Sequence, residues 1–512
     1  MPYSKKIISN KTALKKFSKL CSQKKISPIL CHGHFNIIHP GHMRFLIHAK
    51  EHGNCLVVAI ASDSEMASRM DGQHYFPQGD RASAVATLEC VDHVVILDGM
   101  SMTDLIHALP PLTLVMGKEF ETERREEVKD YIDSVAEKKG RIIFHSGEIS
   151  YSSSEIFHGN TTSIQREKNS LFIRNCQRLK IKRDSMLRTI DGFKTRKLLV
   201  VGDSIVDQFV ACDALGMSAE APVIVLKELE KKQYVGGAAI VTAHLRTLGA
   251  ECHFISVAGD DEPGRYLRGE LETMGVKADI FTDAERPTTY KVRYMVESQK
   301  MFRVSRLEEK SIPIEIEEQI IARLRKIIPR MDGVIVSDFV YGVVTPAILK
   351  AITEIAKKFS VRLFGDLQCS SQIGNVLKFQ NFDFISPTER EARISLGDYD
   401  SGIEKLAMKL LKSSSCKSLI ITLGANGFIA YHNYSRAGVE SQHFPALCAN
   451  PIDVAGAGDS LMSAIALGCC ADANCMESSS IGACAAAIAV NRIGNIPISS
   501  DELKSYIRDI MK

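Results

Sequence analysis

No stretch of this chain is apolar for long enough to span a bilayer. The longest such run, near 481–490, is built partly of small residues and ends at Asn491-Arg492. The lysines near the N-terminus are not followed by an apolar core or a cleavage pattern, so no secretory signal is expected. Fourteen cysteines occur without a single CxxC spacing, which argues against a disulfide framework and for reduced thiols, hence a cytoplasmic protein. Charge of one sign is also lacking: 64 basic against 61 acidic residues leave a net +3. That balance predicts neither a nucleic-acid partner nor a membrane partner. What remains is an ordinary globular composition, 45% apolar, in 512 residues, enough for two or three domains.

The most informative stretch is Asp453-Val454-Ala455-Gly456-Ala457-Gly458-Asp459-Ser460, running into an apolar segment through Cys470. Three small residues at the start of a helix can present consecutive backbone N–H groups to an anion. A carboxylate directly after them stands where a hydroxyl attacking phosphorus must lose its proton. The pattern suits a kinase that phosphorylates an alcohol; the alternative is a glycine-rich turn that only caps a buried helix.

A second phosphate motif lies far upstream, in Cys31-His32-Gly33-His34-Phe35-Asn36-Ile37-Ile38-His39-Pro40-Gly41-His42. A strand is expected through Pro28 to Cys31 and a helix over Met43 to Lys50, with Pro40 in its first turn. His39 and His42, spaced i, i+3, then project from one face at the positive helix end. Two imidazoles there can donate to a triphosphate as charge builds on the leaving oxygens. Metal ligation is the competing use, but zinc would need a third ligand that the sequence does not obviously supply.

Residues 1–158 alternate apolar runs (Leu56 to Ala61, His93 to Leu97, Leu112 to Met116, Arg141 to His145) with amphipathic segments, predicting an α/β domain on a parallel sheet. Residues 159–193 are polar and basic and read as a linker with one helix. A second α/β pattern fills 194–512, with strands at Leu198 to Val201, Gly333 to Ser337, Arg362 to Asp366, Phe382 to Ser386 and Ser418 to Thr422. Ala221 to Leu226 and Thr288 to Arg306 break the alternation and suggest a small β lid.

Across its whole length the second half resembles the ribokinase-like (PfkB) sugar kinases. The matching elements are Val201-Gly202-Asp203 with Asp207, Gly236-Gly237, Gly259-Asp260-Asp261, Ser337-Asp338, Ser386-Pro387 with Glu391, Thr422-Leu423-Gly424 with Gly427, and the GAGD. The segments 218–223 and 286–291 look like those of heptose-phosphate kinases. The first half is similar to nucleotidyltransferases with an HxGH motif, cytidylyltransferases among them. Supporting matches are Ser62-Asp63, Asp80-Arg81-Ala82, Gly117-Lys118-Glu119-Phe120 and Tyr151-Ser152-Ser153-Ser154. Together they look like the bifunctional heptose kinase/nucleotidyltransferases of bacterial surface-sugar synthesis, with the domain order reversed.

The resemblance implies roles. Asp459 is the catalytic base, with Gly456, Ala457 and Gly458 as anion hole. Asp203, Asp207, Gly236, Gly237, Lys291, Arg303 and Asp338 are expected at the sugar or its phosphate, and Glu391 at Mg2+. Thr422, Gly424 and Gly427 are expected at the kinase nucleotide, ATP. In the transferase, His39, His42 and Lys118 are catalytic, and Phe35, Asp63, Arg81, Ser152, Ser153 and Ser154 bind the nucleotide, ATP or CTP. Partners are sugar phosphates, nucleoside triphosphates and a second copy through the lid, whose edges need covering. Met116 and Asn36 depart from the transferase pattern and bear on its rate or substrate; Ile240, Ser305, Tyr341 and Thr388 depart from the kinase pattern, and the first three, near the expected sugar pocket, predict an altered sugar choice. The alternatives are a kinase and cytidylyltransferase acting on another sugar or polyol phosphate with CTP, or one half reduced to a ligand-binding module.

Overall fold

The computed structural model describes residues 5–8, 10–36, 38, 40–69, 75–117, 126–145, 161–297, 299–369, 374–433 and 438–512. The chain divides into two compact units, 1–159 with 400–406, and 160–399 with 407–512.

The first unit carries a six-stranded parallel sheet: β1 (Ile7–Ile8), β2 (Ile29–Gly33), β3 (Leu56–Ala61), β4 (His93–Leu97), β5 (Thr113–Gly117) and β6 (Arg141–His145), in the order β1-β4-β3-β2-β5-β6. All six residues of β3 are buried, as a central strand covered on both faces requires. Its odd and even positions feed two separate cores, Val57 and Ala59 on one side, Leu56, Val58 and Ile60 on the other. The helix Pro40–Lys50 follows β2 directly and so starts at the carboxyl edge of the sheet, where ligands bind in open α/β folds.

The second unit carries a nine-stranded sheet and a four-stranded one. The large sheet holds β7 (Lys197–Gly202), β10 (Glu251–Ala258), β11 (Lys277–Thr282), β14 (Gly333–Asp338), β15 (Arg362–Leu367), β16 (Phe384–Ile385), β17 (Ser418–Thr422), β18 (Phe428–Asn433) and β19 (Val439–Phe444). Their order is β11-β10-β7-β14-β15-β16-β17-β18-β19, with only the β17-β18 and β18-β19 pairings antiparallel. The small sheet, ordered β13-β12-β8-β9, consists of β8 (Ser204–Met217), β9 (Ile224–Gly237), β12 (Thr289–Val296) and β13 (Gln299–Arg306). This is the expected lid. It is larger than the sequence suggested, because β8 continues from the β7 turn and alternates too weakly beyond Cys212 to read as a strand.

One expectation is corrected. The segment 159–193 is not a linker with one helix: it holds two helices, Thr161–Arg178 and Arg183–Gly192. Phe172, Cys176, Met186, Ile190 and Phe193 join the core of the second unit, and Asn175 donates to the His443 carbonyl at 2.9 Å. The apolar positions look sparse in a long basic stretch, yet Phe172 and Cys176 on one helix, and Met186 and Ile190 on the other, are each four residues apart, share a face and are buried.

Candidate functional sites

In the second unit the strands β7, β14, β15 and β17 bring Asp203, Asp338, Asp366 and Thr422 to their carboxyl ends, and the GAGD segment opens the helix Ala457–Cys470 beside them. Gly456 is the N-cap, at φ 75°, a left-handed conformation that glycine adopts without strain. The glycine N-cap offers no capping side chain, and the Ala457 N–H reaches only the Val454 carbonyl, at 3.4 Å, so the first-turn amides are weakly engaged, as an anion-binding helix start requires.

Asp459 lies in that first turn and is buried. Burial, with Asp207 adding repulsion, pushes its carboxyl up to about 7; a hydrogen bond from Gln368 and the charge of Lys291 pull the other way. A carboxylate poised near neutrality is suited to accepting a proton. Asp207 is itself paired with Arg293, and Asn495 Nδ2 donates to its Oδ2 at 2.8 Å. A Cβ on Gly236 would stand 2.4 Å from that oxygen, which accounts for glycine there.

Lys291 is buried beside the stacked rings of Phe339 and Tyr341, its ammonium 5.5 and 5.0 Å from their centroids. The loop carrying those rings is held from below. Asp203 accepts from the backbone N–H groups of Phe339 (2.8 Å), Tyr341 (3.2 Å) and Val343 (3.1 Å), and Asp338 Oδ1 accepts from Val340 at 2.7 Å. Val340 sits at φ 62°, a conformation costing a β-branched residue about 1–3 kcal/mol unless its surroundings impose it. Both oxygens of Asp203 are thus committed to the loop, and Asp338 Oδ2 pairs with Lys378. These two carboxylates, expected at the sugar, hold the loop that carries the two rings beside Lys291.

Beyond Lys291, a cavity of about 390 Å³ is lined by Arg293, Lys300, Phe302, Arg303, Val454 and Ala455. It adjoins the GAGD segment and gathers three cations from the lid. Lys300 also reaches Asp453 Oδ1 at 2.6 Å. Arg303, expected at the substrate's phosphate, lines this cavity, while Arg293 and Lys300 were not anticipated; alternation from Lys291 would have pointed to Arg293, but Lys300 joins Arg303 only through the register shift between Tyr294 and Met295. Ile240, expected at the sugar pocket, is fully buried in the core.

Glu391 closes a capping box. Oε2 accepts from the Thr388 N–H and hydroxyl, both at 2.8 Å, and Oε1 from the Cys369 N–H at 2.8 Å. Among the described residues no three His, Cys, Asp or Glu side chains converge as a metal cage. These residues do not fit direct dication coordination. Thr422 donates its N–H to the Pro387 carbonyl at 3.0 Å, and the 424–427 turn is tied by Leu423 donating to the Gly427 carbonyl at 2.8 Å, beside the end of β17.

In the first unit the loop after β2 turns through Phe35 at φ 49°, and its ring packs 4.8 Å from that of His42. Arg81 is buried and fully engaged: Nε donates to the Phe76 carbonyl (2.8 Å), one terminal nitrogen to the His34 carbonyl (2.8 Å) and the other to Asp63 (2.9 Å). Asn36 Oδ1 accepts from the Phe76 N–H at 2.8 Å. Arg81 and Asp63, expected at the nucleotide, tie the motif loop to two further segments, because a guanidinium with this reach satisfies three acceptors at once. His39, Lys118, Ser152, Ser153 and Ser154 lie outside the described residues.

Residues 195–502 match the family model of pfkB family carbohydrate kinases, and 30–159 that of cytidylyltransferase-like domains. The chain belongs to the pfkB carbohydrate kinase family. The bifunctional protein HldE of Campylobacter jejuni subsp. jejuni serotype O:2 is 31% identical over 315 residues, 61% of this chain and 65% of that protein. HldE of Desulfatibacillum aliphaticivorans is 29% identical over 321 residues, 62% and 64% of the two chains. The chain thus spans just under two thirds of the length of these relatives. Phosphofructokinase-2 from Escherichia coli, solved with substrates and products, superposes with a TM-score of 0.53 at 17% identity, over 62% of this chain and all of that one. That likeness concerns the fold, and it matches the architecture expected for the kinase half. No helix among the described residues is long and apolar enough to cross a membrane.

Proposed function

We propose that this protein is a bifunctional enzyme of nucleotide-sugar synthesis in the cytoplasm. The kinase half transfers phosphate from ATP to a hydroxyl of a sugar phosphate, heptose 7-phosphate on the reading favoured by the HldE relatives. The other half joins a nucleotide to a sugar 1-phosphate and releases pyrophosphate, with ATP or CTP as donor. The observation that carries the kinase reading is the buried Asp459 at the uncapped head of its helix, next to a cavity lined by three lid cations. Asp459 takes the hydroxyl proton, and the first-turn amides of 456–458 receive the transferring phosphoryl group. Arg293, Lys300 and Arg303 hold the substrate's own phosphate, a dianion that clustered cations recognise. Mg2+, which the family chemistry uses to neutralise triphosphate charge, is carried chiefly by the nucleotide and water. In the transferase half His42 and His39 donate to the leaving pyrophosphate, with Lys118 as a further cation.

Asp459→Asn is expected to lower sugar phosphorylation about 10²–10⁴-fold and leave nucleotidyl transfer unchanged. His42→Ala does the reverse, losing a donor worth about 3–4 kcal/mol against developing charge. Nucleotide consumption measured against a panel of hexose, heptose and polyol phosphates tests both. Loss of both reactions on either substitution, in protein that remains folded, overturns the reading of two independent sites.

A further inference from the structure

The side chain after β15 ties the candidate base to a second buried acid. Gln368 Nε2 lies 2.7 Å from Asp459 Oδ1 and 3.0 Å from Asp366 Oδ2. A primary amide nitrogen has two hydrogens, one for each carboxylate. The glutamine backbone is fixed too, its N–H donating to the Asp338 carbonyl at 2.9 Å. Asp366 is buried at the end of β15, and among the described residues no cation forms an ion pair with either acid: Lys291 of β12 acts on Asp459 from a distance. Asp207 of β8 repels Asp459, and Glu391 of the helix Glu389–Leu396 repels Asp366. A neutral donor shared by two buried carboxylates is a costly arrangement unless it serves the site, because each acid disfavours ionisation of the other.

We infer that Gln368 is the positioning residue for the base: its amide, shared between Asp366 and Asp459, fixes Asp459 Oδ1 and leaves Oδ2 for the acceptor hydroxyl. Burial, reinforced by Asp459, raises the Asp366 carboxyl, and burial raises that of Asp459, so both acids flanking the shared amide exchange their protons near neutrality. This inference rests on Asp459 acting as the base.

The test uses the full chain and two readouts. The first needs no substrate: thermal unfolding of wild type, Gln368→Leu, and Gln368→Leu combined with Asp366→Asn, across roughly pH 6 to 9. Without the shared donor, the melting temperature of Gln368→Leu should fall more steeply with pH than that of wild type. Removing the second carboxylate should restore the shallower slope. A loss that is the same at every pH would mean ordinary packing and would overturn the inference. The second readout is ATP turnover with heptose 7-phosphate. Gln368→Leu should lower kcat about 10–100-fold with KM within about twofold, the loss of one hydrogen bond to a charged group. Its acid limb should move to higher pH. Gln368→Glu serves as a near-isosteric second variant: protonated at pH 6 it still donates one hydrogen bond, and on ionising it should lose turnover reversibly. Asp459→Asn separates the two ideas. If it retains turnover, the base assignment falls; if it is inactive while both Gln368 variants behave as wild type in slope and kcat, the positioning role alone falls.

Discussion

At the scale of residues, the kinase half concentrates buried acids whose protonation should be visible in solution. Asp459 must be ionised to accept a proton, and burial holds its carboxyl up at about 7. Phosphorylation should therefore rise about tenfold per pH unit below 7 and level off above it, measured as kcat/KM between pH 5.5 and 8.5. An exposed aspartate would give a plateau from pH 5 upward. The same shift has the opposite sign for stability. Asp366 and Asp459 bind protons more tightly in the folded than in the unfolded state, so their contribution is full below about pH 4 and is lost as pH rises through 7 to 8. In the other half, Arg81 is a brace. Arg81→Leu should destabilise that unit by about 3 kcal/mol, since one charged donor and the partners of three segments are lost together. Thermal unfolding of the first unit checks this; an unchanged transition with lost activity would return Arg81 to the nucleotide.

Among the elements, the helices Thr161–Arg178 and Arg183–Gly192 decide where the kinase half begins. Their buried Phe172, Met186, Ile190 and Phe193 are part of its core. We propose the boundary at 159–160, so 160–512 should be soluble and cooperatively folded. A fragment starting at 194 would expose that apolar surface, roughly several hundred Å², and should aggregate. Size-exclusion chromatography of both fragments discriminates; equal behaviour would mean that the two helices contribute little. The lid elements make a different demand. The edges of the small sheet are β9 and β13, and Leu215, Met217, Ile224, Leu229, Phe302 and Val304 are exposed on it. An exposed apolar sheet with unpaired edges is an association surface.

For the whole molecule, the two candidate phosphate sites belong to two units, each at the carboxyl ends of parallel strands in its own sheet. Each unit has its own core, so the two proposed activities do not depend on the order of the halves. The lid surface leads to a homodimer as the expected assembly, with pairing across a two-fold axis burying both lids. Sedimentation at micromolar concentration should give twice the chain mass, and Leu229→Glu with Phe302→Glu should return a monomer. A wild-type monomer would sink the proposal.

The sequence by itself determined the fold class and pointed to the proposed chemistry. Buried strands such as Leu56–Ala61 announce themselves as continuous apolar runs, and the GAGD and HPGH segments are proposed to act through backbone geometry and a few side chains close in sequence. Helix starts and their amides are local, so a linear reading reaches them. What only the tertiary structure decided are the partnerships of charged residues across long separations. Asp203 meets the amides of 339–343, Arg81 meets the His34 carbonyl, and Gln368 meets Asp459, each across dozens of residues or more. A carboxylate that binds a sugar and one that holds a loop look alike in sequence, because the difference lies in which N–H groups the fold brings to its oxygens. The same holds for 159–193: a basic composition hid two helices, and only the core they complete shows which face of each was needed.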